Sequence, residues 1–467
     1  MRFARTAALL SLLAVAACSE PAGPSGQDAG GRDASARRDA SQLADASESA
    51  GLDAGELEAP DGGALSAADT GTAATTIQDF WANTQWPAYL TLTPGEQATI
   101  YGQIWIPGRT DQSGAMAGLE VEAGLGAPGT EPATWTWTSA RYNVEKGNND
   151  EWLAKLTAPG SGAREYAFRY RVPGSVWAGQ QGEWLYAGLK GPTLAPGEAG
   201  VMAVRVPAGQ VVVATQNLHC QHDDPKGRFD AIAARWAALK VDVAALQEVC
   251  EDASTGVGNS ADYLAKALTA ATGRTYGYVW VQTHLANDVT PEGVGLVSAL
   301  PLAGQATVDH VTADLPRKAL LGAYATPAGI LAVVTSHLSY RTEDADARLQ
   351  QANQLVALAT EWQTGPSRTA GTHALIAGDF NTAPDTAPIQ AVGSAGFTDV
   401  WAAVHPGDPG LSFPSYAPNK RIDYLLFRSA AGIAAAPTSA TEEFGQPYTG
   451  TSYVSDHLGF VATLKAP

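Results

Sequence analysis

Cysteine is almost absent from this chain: there are three in 467 residues. A disulfide-dense scaffold is thereby excluded. Beyond residue 18 only Cys220 and Cys250 remain, and two thiols without a cluster of further donors make a poor metal site. Basic side chains are also scarce, 29 Lys and Arg against 47 Asp and Glu, for a net charge of −18. Tight non-specific binding of nucleic acid needs Lys and Arg to displace counterions, so the balance disfavours it. It does not exclude a nuclease, because a local basic rim or a bound cation can offset the acid. Long apolar runs are missing as well. Residues 7–17 are apolar but too few to span a bilayer comfortably, and no other stretch is long enough. Large apolar side chains are nearly absent from residues 19–75, which are rich in Ala, Gly, Asp and Ser. Nothing there can bury a core, and the segment reads as a disordered acidic tether.

What is present begins with a leader. Arg2 and Arg5 precede the apolar run, which ends Val15-Ala16-Ala17-Cys18. This resembles the bacterial lipoprotein box and implies cleavage before Cys18 and lipidation of its thiol. An ordinary secretory signal cut near Ala17 is the alternative. Ser19 follows, with no Asp retention signal. The expectation is an exported outer membrane lipoprotein, periplasmic or cell-surface, held at a distance by the tether.

Residues 76–207 change character. Segments around Leu90, Ile100, Trp135 and Phe168 alternate at period two between Pro, Gly and Asn clusters. The pattern predicts an all-β sandwich accessory module. It resembles the small sandwich modules that precede catalytic domains in secreted bacterial hydrolases. Eight of the twelve Trp lie here. Trp105, Trp135 and Trp137 are expected to fill a small core; an exposed Trp would instead contact a glycan.

From residue 208 apolar strands alternate with amphipathic helices over 228–240 and 348–362. Apolar runs end on Asn217, on Glu248, on His337 and on Asp379. Gly378 is expected to turn the chain, with Asp379 and Asn381 on one face by alternation. Asp423 stands near another strand start, and Asp456-His457 precede the last strand. This ordered set resembles the endonuclease/exonuclease/phosphatase superfamily, the DNase I-like proteins. The resemblance implies a four-layer α/β sandwich over 208–467, with the site at one edge where strand-end loops converge. It also implies a phosphoesterase requiring a divalent cation, Mg2+ first, with Mn2+ or Ca2+ as alternatives.

The residue chemistry fits that implication. A hard carboxylate such as Glu248, with Asn217 and Asp456, suits Mg2+. His457 beside Asp423 makes a base pair; the alternative has His457 stabilising phosphate and Asp379 acting as base. Asn381 can orient a phosphate without adding charge. His337 assists the leaving group in such relatives, and Glu292 is its expected acidic partner. Cys220 and Cys250 follow Asn217 and Glu248 closely, so a disulfide between them would staple two site loops. A phosphate-facing Arg common in relatives is missing at Ser298-Ala299. Arg317, Lys318, Lys420 and Arg421 remain as basic candidates. No apolar hairpin for inserting into a membrane is evident. His219, His222, His284 and His310 have no motif context, and His373 reads as structural. The expected activity is phosphodiester hydrolysis of extracellular nucleic acid by a monomer. A phospholipid head group or an inositol phosphate is the alternative substrate. The competing class is a non-catalytic surface protein that binds glycan through its β module.

Overall fold

Alternation between residues 81 and 204 builds two facing sheets. The structure, a computed structural model, describes residues 74–313, 315–365 and 371–466. The leader, Cys18 and nearly all of the tether lie outside the described residues. One sheet runs Trp81–Trp86, Gln97–Trp105, Asn149–Thr157, Arg141–Lys146. The other runs Tyr89–Leu92, Gly200–Val204, Arg164–Arg171, Glu120–Gly126, Thr136–Ser139. Ile100, Ile104, Trp152, Phe168, Tyr170 and Trp177 fill the space between them. Trp135 and Trp137 do not join that core. They stack on each other, centroids 5.9 Å apart, in a small separate cluster with Ala167 and Ala199. The reason is local: Gly124 and Gly126 leave room on the outer sheet face, where a Cβ would strike each ring.

The strand Gly200–Val204 is buried along its whole length. Met202 and Val204 face the module core. Val201 and Ala203 face a second core, shared with the rest of the chain. Tyr89 belongs to that seam. Its ring lies parallel to that of Trp362 at 6.2 Å, and its hydroxyl donates to the Trp362 carbonyl. Thr91 accepts from Ile330 N and donates to the Gly371 carbonyl, both at 3.2 Å. Residues Gly71–Pro467 accordingly form one compact unit.

The remaining residues make a second, larger sandwich. Its strands are β1 (Gln210–Asn217), β2 (Val243–Asp252), β3 (Gly277–Ala286) and β4 (Thr290–Ser298). Next come β5 (Leu302–Asp309), β6 (Lys318–Thr326), β7 (Gly329–His337) and β8 (Thr372–Asp379). β9 (Asp423–Arg428), β10 (Ala436–Glu443) and β11 (Gly459–Lys465) complete it. One sheet has the order β3-β4-β2-β1-β11-β10, the other β5-β6-β7-β8-β9. Between them lie Val213, Leu296, Val333, Leu375, Leu425 and Phe460. Helices α1 (Pro225–Leu239) and α2 (Ser260–Thr272) cover the first sheet through Phe229, Trp236 and Leu264. Helix α3 (Ala345–Thr364) covers the second through Leu355, Ala359 and Trp362. The fold is thus a β-sandwich followed by a four-layer α/β sandwich.

Two strand pairs in this sandwich are parallel, β1 with β2 and β7 with β8. Parallel neighbours need a crossover, and α1 and α3 supply it. Parallel strands also end on the same side. Asn217 is the register partner of Gln247, and His337 that of Asp379. Asp379 is in turn the partner of Asp423 across an antiparallel pair. Topology therefore delivers the polar strand ends to one mouth.

Candidate active site

Glu248 sits where β2 slips register against β4, between Leu246 and Val249, and its φ is +51°. A bulge with left-handed backbone re-aims one side chain and costs local stability, a pattern concentrated at functional sites. Asn217 Nδ2 donates to Glu248 Oε1 at 2.9 Å and to Asp379 Oδ2 at 3.2 Å. Asn217 Oδ1 accepts from His219 N at 3.0 Å. One buried amide therefore ties the ends of both sheets together.

Gly378 is not a turn. It lies inside β8 with φ +143°, and a Cβ there would sit 2.2 Å from the Ser336 carbonyl. Glycine is required because β7 passes so close. The strand ends at Asp379, and Asn381 does not follow by alternation. It is turned back with φ +49°; its N–H donates to Asp379 Oδ1 and its side chain to the Leu338 carbonyl.

His457 Nδ1 lies 2.9 Å from Asp423 Oδ2, and its Nε2 lies 3.7 Å from Asp379 Oδ2. Phe413 packs on its ring at 4.8 Å. Ser455 Oγ donates to the Asn217 carbonyl and accepts from His457 N, fixing the loop that carries both Asp456 and His457. His337 Nε2 is 3.5 Å from Asp379 Oδ2, and its Nδ1 is 4.0 Å from Glu248 Oε1. Glu292 is not the partner of His337. It faces His284 on the adjacent strand at 3.5 Å, because cross-strand register sets those two opposite each other.

The charges strain against one another. Burial lifts Glu248 to about 7, with Glu292's charge adding to it. Burial and Asp423's charge lift Asp379 to about 7 as well. Burial opposes the imidazolium of His457, but Asp423, Asp379 and Asp456 outweigh it and raise the ring to about 10. Burial holds His337 well below the ordinary imidazole range. A protonated ring facing a half-ionised carboxylate is the outcome at neutral pH.

Glu248, Glu292, His337, Asp379, Asn381 and His457 line a cleft of about 650 Å³ with His222, His284, Arg317, Tyr340, Phe413 and Lys420. Asn217 and Asp423 stand behind it, bonded to Glu248 and His457, and Asp456 lines a separate pocket with His219. Arg421 instead pairs with Asp399 at 2.6 Å and stacks on Tyr424. Lys318 pairs with Asp309. His373 bonds the Ala328 carbonyl and Ala430 N, a framework role. Cys220 and Cys250 are joined by a disulfide. Sequence reasoning missed several neighbours. His219, two residues after Asn217, stands 3.7 Å from Asp456. The β3–β4 hairpin carries exposed Leu285 and Val289 at the mouth, and its signal was Asn287-Asp288, both left-handed, between alternating strands.

Oxygen donors of Asn217, Glu248 and Asp456 suit a hard divalent cation. Like charge beside each buried carboxylate, Glu292 beside Glu248 and Asp423 beside Asp379, fits that reading, since a cation there would supply counter-charge. Asp379, Asp423 and His457 also hold donor atoms within 4.8 Å of one another. Two of those atoms are already bonded to each other, so this trio suits proton handling better than ligation.

The chain is similar to several known proteins. A 163-residue segment is 27% identical to the amylopullulanase of Thermoanaerobacter thermohydrosulfuricus, covering 31% of this chain and 10% of that one. The chain therefore spans a small part of that relative. Among solved structures, a humanized D. rerio TDP2 is 18% identical, with TM-score 0.44, over 55% of this chain and 98% of its own. The human Nocturnin catalytic domain with bound sulfate is 18% identical, TM-score 0.44, over 56% and 96%. An endonuclease/exonuclease/phosphatase family protein of Leptotrichia buccalis is 18% identical, TM-score 0.42, over 54% and 98%. Residues 214–457, more than half of the chain, match the Endonuclease/Exonuclease/phosphatase family, and the chain belongs to that family.

Proposed function

We propose that this protein is a divalent-metal-dependent phosphodiesterase acting on extracellular nucleic acid. One observation supports it above the rest: Glu248, His337, Asp379 and His457 line one cleft, and Asn217 and Asp423 are hydrogen-bonded directly behind them, the six coming from five different strands and a loop. Phosphodiester hydrolysis needs charge neutralised on phosphoryl oxygens, a proton taken from water, and the leaving oxygen stabilised. Asn217, Glu248 and Asp456 would hold the cation, which supplies Lewis acidity when bound. Asp423 fixes the His457 ring so that Nε2 presents a proton to a phosphoryl oxygen. Asp379, lifted to about 7, accepts the proton from water. That order of roles suits the electrostatics better than His457 as base. His337 and Asn381 hold the phosphate and the leaving side. Arg317 and Lys420, both lining the cleft, take the place of the arginine missing at Ser298-Ala299.

A second substrate reading, a phospholipid head group, draws on the exposed Leu285 and Val289 beside the cleft. We propose that lipidated Cys18 anchors the exported protein to the outer membrane, as a monomer, with residues 19–75 as tether.

The test uses the compact unit Gly71–Pro467 with Mg2+, Mn2+ or EDTA. Plasmid DNA, RNA, sphingomyelin and a chromogenic phosphodiester are offered as substrates. Nuclease activity abolished by EDTA is expected. Hydrolysis undiminished by EDTA, or glycan binding with no hydrolysis of any substrate, overturns the proposal.

A further inference from the structure

Three neighbouring strands bring a second set of donors into one row. Cys250 on β2 is the register partner of Glu292 on β4, and Glu292 is the partner of His284 on β3. Cys220 reaches this row from the loop after β1, its Cα 5.1 Å from that of Cys250. The donor atoms of Cys220, Cys250 and Glu292 all lie within 4.8 Å of one another. His284 Nε2 stands 3.5 Å from Glu292 Oε1, and its Nδ1 is 2.9 Å from Thr283 Oγ1. The hydroxyl thus orients the ring with Nε2 toward the row, as an outer partner does for a ligating imidazole. Cys250 is wholly buried, and Cys220 and Glu292 are each only 9% exposed.

Two thiolates and the Glu292 carboxylate form a three-donor set, and the His284 imidazole, 3.5 Å from Glu292 but outside that group, is a fourth donor that must swing toward the sulfurs to complete tetrahedral zinc. We propose that, when the disulfide is reduced, Cys220, Cys250, Glu292 and His284 form a zinc site. The metal then replaces the disulfide as the cross-link between the loop that follows Asn217 and the strand that carries Glu248. Reduction transfers two electrons and two protons from an external dithiol, which becomes a disulfide; the Cys220–Cys250 bond breaks and both sulfurs are protonated. Zinc binding then releases the two thiol protons to solvent. Arg317, which lines the same cleft, competes for Glu292 and weakens the site without removing a donor. The site shares no ligand with the proposed catalytic cation, so the inference stands apart from the functional reading.

The test takes the full chain, oxidised or reduced with a phosphine and desalted without oxygen, and titrates it with Co2+ and then Zn2+. The reduced chain is expected to show a thiolate-to-cobalt charge-transfer band that saturates with a single equivalent and is displaced by zinc. The oxidised chain shows none, and a cation among oxygen ligands contributes none. Cys250→Ser abolishes the band. Glu292→Gln and His284→Ala keep it but weaken cobalt binding at least about tenfold. Near-ultraviolet circular dichroism follows the fold throughout. No band in the reduced chain, a band indifferent to Glu292→Gln and His284→Ala, or loss of tertiary signal on reduction alone overturns the proposal.

Discussion

The two sandwiches of this chain each bury carboxylates, with different results. In the N-terminal sandwich Glu151 is answered by neutral amides. Glu151, 5% exposed, accepts from Asn143 at 2.6 Å and from Gln103 at 3.4 Å. In the larger sandwich carboxylates are gathered at one mouth, where burial and then Glu292's charge raise Glu248, and burial and then Asp423's charge raise Asp379. Scattered groups can be satisfied one at a time. Gathered like charges cannot, and the surrounding cores have to hold them in place.

That comparison can be broken where the two sandwiches meet. Trp362→Ala removes a buried indole from the core that Tyr89, Val201 and α3 share. It should cost about 3–5 kcal/mol, read as a fall in the denaturant midpoint. A change no larger than that of a surface substitution would mean the module merely rests beside the catalytic domain. The site itself comes next. Asp379→Ala and His457→Ala should each lower turnover at least about a hundredfold, while Glu151→Gln in the module leaves it unchanged. An effect of equal size from all three would erase the contrast between the regions.

The pH dependence of stability sharpens it further. Glu248 and Asp379 are lifted to about 7 in the folded chain. Between about pH 4 and 7 the folded state therefore binds more protons than the unfolded one, and stability falls as pH rises. His457, lifted to about 10, adds stability that is full below about pH 6.5 and is lost as pH rises toward 10. In EDTA the melting temperature should decline from pH 7 to pH 9, above the range in which the lowered His219, His310, His337 and His373 act in the opposite direction. The decline should be shallower in Asp379→Asn, and identical profiles for the two proteins would refute this account. The smallest effect belongs to Thr91, whose hydroxyl bridges the two sandwiches. Thr91→Val should cost about 1 kcal/mol without altering turnover, as thermal melts and the chromogenic assay would show.

Several elements were legible before any coordinates. The strands ending on Asn217, His337 and Asp379 could be read because apolar runs and the polar residue that stops them are local features. The strand expected to stop at Glu248 runs on to Asp252, because the bulge there re-aims one side chain without ending the pairing. The helices were legible for the same reason, with α3 spanning 20 residues where the apolar stripe marked only its middle. The buried strand Gly200–Val204 was not, since an unbroken run of five apolar residues does not say what covers either face. Trp135 and Trp137 read as core for a related reason: an aromatic declares its area, not which sheet face it joins. The partner of His337 was misassigned because a pairing across strands depends on register.

The sequence alone determined the order of the site residues, the class of chemistry their donor atoms allow, and the scarcity of thiols and cations around them. These follow from residue identity and from short-range periodicity. Only the tertiary structure decided that Glu292 faces His284, that Cys220 and Cys250 stand beside Glu292, and that the module shares a core with α3. Each depends on which strands lie side by side and at what offset. Sheet register and sheet stacking are settled by contacts between distant segments, and no local stretch of sequence carries them.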